Sequence, residues 1–138
     1  MKTTKQFSFI TLLLFILVGM GCQKSPSNNL AGEENLTVQT SPVTTNNNVE
    51  APAPGPTFPL KVTITSKMPS GGVRIDIVAR LDGSATTFYT ESKSTQAADN
   101  NFVIQNTPKT VICVVEITVV SNNKSSNKWT GSYRYSSK

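Results

Sequence analysis

The chain has no histidine, two cysteines (Cys22 and Cys113) and a single tryptophan. Without imidazole it lacks the side chain that most often moves protons near neutral pH and most often ligates metals, which disfavours nucleophile–His and zinc chemistry. The carboxylates beyond residue 57 (Asp76, Asp82, Glu91, Asp99 and Glu116) show no paired spacing of the kind that general acid–base work uses. Asp99-Asn100-Asn101 lacks the spacing of a calcium loop, and no Gly-rich phosphate loop occurs. These absences point away from an enzyme and from a bound metal or cofactor. Charge is sparse too, at 15% of residues, and the formal +5 comes from Lys and Arg scattered without a run. That dispersal argues against a nucleic-acid footprint.

What is present begins at the N-terminus. Residues 7–21 (FSFITLLLFILVGMG) form an apolar run behind Lys2 and Lys5, shorter than the roughly 20 residues that a spanning helix needs. A charged start, an apolar stretch and the small Gly19 and Gly21 ahead of Cys22 have the form of an export signal over 1–21. Gly19-Met20-Gly21-Cys22 resembles the lipobox of bacterial lipoproteins, although Gly19 and Met20 stand where that family usually has Leu and then Ala or Ser. The resemblance implies lipidation of Cys22 by palmitate-type acyl chains and a mature chain that starts there. Gln23, in place of the Asp that retains such proteins at the inner membrane, implies the outer membrane, facing the periplasm or the exterior. A single acyl chain binds only marginally, at about 0.8 kcal/mol per buried CH₂, so several give a stable anchor.

Residues 22–57 read as a disordered tether. Pro, Gly, Ser, Thr and Asn dominate them, aromatics are missing, and the few aliphatics show no period of 2 or 3.6. Residues 58–138 carry the folded part, where the pattern becomes period 2. Leu60, Val62 and Ile64 share one face of a strand; Val73, Ile75, Ile77, Ala79 and Leu81 share one face of the next. Asp82-Gly83 supplies the tight turn that follows, and residues 85–92 make a polar strand suited to a sheet edge. Residues 93–100 read as a polar loop, or at most one helical turn, and 102–105 as a short strand. The run 110–121 (TVICVVEITVVS) predicts a central strand, with Val111, Cys113, Val115, Ile117 and Val119 toward the core and cover on both faces near Ile112 and Val114. Residues 128–135 return as the last strand.

About six to seven strands with no amphipathic helix predict an all-β fold, a small antiparallel β-sandwich, with a meander or small barrel as the alternative. Strand count, spacing and the Tyr-bearing last strand resemble small immunoglobulin-like or fibronectin-type-III-like modules; the Cys…Trp…Cys signature of antibody domains is absent. Cys113, flanked by Ile112 and Val114, reads as a buried thiol.

Trp129, Tyr133 and Tyr135 share parity along the last strand. Exposed, they would stack on sugar rings or grip a partner; buried, they would be aromatic core, which a small domain needs. Arg74, Asp76 and Arg80 read as a solvated charged face, and Glu116 as a partner for Lys128 or Arg134. Two functions fit: a membrane-anchored envelope lipoprotein whose non-catalytic module binds an envelope protein or glycan or serves structurally, and an envelope-displayed inhibitor or immunity-type protein acting on a hydrolase.

Overall fold

The computed structural model describes residues 32–44, 49–50 and 55–138. The expected export signal, Cys22 and everything up to residue 31 lie outside the described residues. Alternating apolar and polar side chains produce seven strands: β1 (Val38–Ser41), β2 (Phe58–Ile64), β3 (Val73–Leu81), β4 (Thr87–Thr95), β5 (Asp99–Ile104), β6 (Ile112–Ser121) and β7 (Lys128–Ser136). They form two antiparallel sheets, one ordered β1-β2-β5 and the other β4-β3-β6-β7. The sheets share no ladder and pack face to face around one core, so the fold is a small β-sandwich and neither a meander nor a closed barrel.

The inward residues are those that the alternation selects. Phe58, Leu60, Val62 and Ile64 of β2 meet Val73 to Ala79 of β3, Cys113 to Val119 of β6, and Phe102 and Ile104 of β5 in a single cluster. Each fully buried aliphatic or aromatic side chain contributes about 1.5–3 kcal/mol. β6 is central, between β3 and β7, and Cys113 is wholly buried as the sequence suggests. At the Asp82-Gly83 turn, Gly83 takes a φ of 75°, a left-handed conformation open to glycine at little cost.

Three local expectations change. The loop over 93–100 shrinks to 96–98, because β4 runs on to Thr95 and β5 begins at Asp99. Ile112 is 44% exposed and Val111 is exposed with it: the β3 ladder ends at Leu81 opposite Cys113, beyond which the Asp82 N–H still donates to the Ile112 carbonyl and β7 pairs Ile112 with Ser136. Val114, by contrast, is buried on the outer face as expected, in register between Arg80 and Arg134, whose long stems can cover it. Glu116 pairs with neither Lys128 nor Arg134; its Oε1 lies 2.7 Å from Arg80 Nη2 across the β3–β6 ladder.

The largest difference concerns the start of the folded unit. Val38–Ser41, expected within the tether, pairs with Ile64–Lys61 of β2, and Leu36 is in the core at 6% exposure. Leu36, Val38 and Thr40 alternate with exposed Thr37, Gln39 and Ser41, but the run is too short to stand out among polar neighbours. Val49 and Glu50 lie beside the other sheet, where Val49 forms a parallel bridge to Arg134 of β7 and the Glu50 N–H donates to the Arg134 carbonyl at 2.8 Å. The edge of β7 is thereby partly covered, while the edge of β4 carries Glu91 and Lys93, charges that discourage pairing with other chains.

Candidate functional site

The period-2 geometry of β7 turns Trp129, Gly131, Tyr133 and Tyr135 toward the first sheet. Tyr133 and Tyr135 are 1% and 0% exposed, and the Phe58 ring lies 5.9 and 4.2 Å from their centroids. Thr107 and Tyr135 share a hydrogen bond of 2.7 Å between their hydroxyls. These two tyrosines are core, so the ligand-contact reading fails for them: bulky rings fill the centre of a small sandwich. Trp129 is half-buried against the same core, and its ring folds over Gly131, with Cζ2 2.8 Å from where a Cβ would stand. Gly131→Ala should therefore push the indole outward. The expected result is a red-shifted, more readily quenched tryptophan emission and a stability loss of about 1–3 kcal/mol; an unchanged spectrum would show that the ring does not occupy that site.

Burial pushes the Tyr135 phenol up to about 12, against an opposing contribution from the Thr107 hydrogen bond, and raises Tyr133 still further. Desolvation also raises the Cys113 thiol. Unfolded phenols ionise near pH 10, while the folded ones stay neutral to higher pH, so the unfolded state loses protons first. Stability from these groups is complete below about pH 10 and declines as pH rises toward about 12. Thermal midpoints recorded from pH 8 to 12 should fall across that window; a flat profile would contradict the burial.

The broadest regular surface is the outer face of β4-β3-β6-β7. Register sets its side chains in rows: Ser92, Asp76, Thr118 and Thr130 in one, Thr90, Val78, Glu116 and Ser132 in the next. Shallow depressions open along these rows, one over Glu116, Thr118, Thr130 and Ser132, another over Asp76, Val78, Thr90 and Ser92, and a third beside Arg80, Ser84 and Thr87. Its charges are largely matched. Arg74 Nε approaches Asp76 at 3.0 Å, the Ser92 hydroxyl donates to Asp76 at 2.6 Å, and Arg134 Nε approaches Asp82 at 3.1 Å. Such exposed pairs add little stability, so the arrangement orders the face more than it strengthens the fold.

Among the described residues, no group of three or more His, Cys, Asp or Glu converges to hold a metal ion. No protein-family model and no curated protein matches the chain. The outer face offers hydroxyls, carboxylates and guanidinium groups, donors and acceptors suited to a polar partner. Sequence reading found Arg74, Asp76 and Arg80 on this face but missed the hydroxyl rows. Each row draws one residue from each of four strands, and only the strand order brings them side by side.

Proposed function

We propose that the protein is a lipoprotein of the bacterial cell envelope, anchored at the outer membrane through acylated Cys22, whose β-sandwich is a non-catalytic binding or structural module. The observation that carries this reading is the order of Lys2 and Lys5, the apolar run 7–21 and the Gly21-Cys22 junction. Burial of Cys113 supports it, because that thiol is closed off in the core. In the constant-type immunoglobulin sandwich the fourth strand joins the sheet of the first, second and fifth. Here β4 joins β3 instead, which favours the fibronectin-type-III-like form of the resemblance. Under this reading the outer face of the four-stranded sheet is the contact surface, and its hydroxyl and charged rows suit an envelope glycan or a polar protein surface.

Cys22→Ser provides the test. The variant is expected to leave the membrane fraction for the soluble fraction and to lose the acyl mass from its N-terminal peptide. Retention in the membrane would overturn the proposal.

A further inference from the structure

The lipid-anchored reading fixes one end of the chain at the membrane, and the fold fixes where that chain enters the sandwich. We propose that the domain stands on the phospholipid surface through one end, with the β2–β3 connection (65–72) and the β6–β7 connection (122–127) toward the headgroups. The opposite end, formed by the β3–β4 turn (82–86) and the β5–β6 connection (105–111), then faces away from the lipid.

The entry point is held by a buried clasp. Asn127, 5% exposed in the β6–β7 connection, accepts the Leu36 N–H at 2.9 Å through Oδ1. Its Nδ2 donates to the Glu34 carbonyl at 2.8 Å and to Glu33 Oε1 at 3.0 Å. The Lys67 N–H donates to Glu34 Oε2 at 3.1 Å, and the Thr65 N–H to the Thr37 carbonyl at 2.9 Å. Residues 33–37 are thus tied to both connections at this end of the sandwich.

Chain length then limits the orientation. Ten residue steps separate Cys22 from Gly32, and whatever their conformation they reach at most about 35 Å. The ten-residue β6 is itself about 33 Å long. Inverting the domain would require those steps to run nearly fully extended along its whole flank. Standing on the clasped end requires no such extension.

The chemistry of the clasped end is compatible with this placement. The clasped end presents the ammonium groups of Lys67, Lys124 and Lys128 among Ser70, Asn122, Asn123 and Ser126, with Glu33 and Glu34 offsetting part of the charge. These groups suit the phosphate layer and give no reason to enter the acyl region. The most exposed large apolar side chains, Val43, Val49, Val103, Val111 and Ile112, all lie outside the connections at that end.

The experiment uses the full lipidated chain in vesicles of phosphatidylethanolamine and phosphatidylglycerol that carry a rhodamine lipid as energy acceptor. A donor dye is attached in turn through Ser126→Cys, in the clasped end, and Ala85→Cys, in the opposite turn; buried Cys113 leaves the parent chain as an unlabelled control. Transfer from position 126 is expected to exceed that from position 85 by roughly two-fold or more, given an end-to-end separation of about 33 Å. Equal transfer, as from a domain lying flat, or a reversed order would overturn the orientation while leaving the anchor intact. An N-terminal peptide without acyl mass, in a chain that does not float with the vesicles, would overturn the lipoprotein reading and the orientation with it.

Discussion

A chain that starts at Phe58 is expected to lose its native fold or most of its stability, whereas one that starts at Gly32 should unfold cooperatively. The shorter chain lacks Leu36, and emptying such a core position costs about 2–5 kcal/mol. It also lacks the four-residue ladder of β1, which leaves β2 as a sheet edge. The Asn127 amide, buried and satisfied by Leu36, Glu33 and Glu34, would lose every one of those partners, and an unsatisfied buried polar group costs about 1–3 kcal/mol. The Thr107 N–H would lose the Pro56 carbonyl as well. Together these losses approach the roughly 5–15 kcal/mol that holds a domain folded. Urea unfolding followed by circular dichroism compares the two chains directly. Equal midpoints would mean that residues 36–41 add nothing to the fold and that a tether does extend to residue 57.

Tyr135→Ala should cost about 3–5 kcal/mol, the loss typical of emptying a large buried aromatic site. The informative comparison is with the two phenylalanine variants. Tyr135→Phe keeps the ring and removes only the hydroxyl, leaving buried Thr107 without its partner, and should cost about 1–2 kcal/mol. The Tyr133 hydroxyl is equally buried but has no hydrogen-bond partner among the described residues. Tyr133→Phe should therefore be neutral, or stabilising by up to about 1 kcal/mol. For a domain of this size each kcal/mol moves the thermal midpoint by about 4–8 °C, so calorimetry separates the three variants. Equal losses for the two phenylalanine variants would show that the Tyr133 hydroxyl is satisfied after all.

Most of the architecture was legible because burial acts through alternation. Leu60, Val62 and Ile64, then Val73 to Ala79, then Cys113 to Val119 identify three inner strands without knowledge of their neighbours. β1 escaped because its four residues pair with β2 partners 20 to 26 positions distant, and Leu36 just ahead of it bonds to Asn127, 91 positions away. No local window contains them. Glu116 shows the same limit at the level of a single contact. Chain proximity suggested the adjacent hairpin strand, yet β6 has two neighbours and the guanidinium within reach came from β3. The aromatic row on β7 was legible as a row, but parity alone could not say which side faced the core. Strand order decided that, and it moved the candidate contact surface from Tyr133 and Tyr135 to the hydroxyl rows on the opposite side of the same sheet.

The antiparallel register of β1 against β2 has a mechanical consequence. Val38, the first residue of β1, lies at the clasped end opposite Ile64, and the strand runs from there toward Lys61. In an upright domain, tension between the anchor and a partner held farther out would travel along the axis of β1. The rungs of that ladder would then resist in shear, all at once, instead of peeling apart one after another.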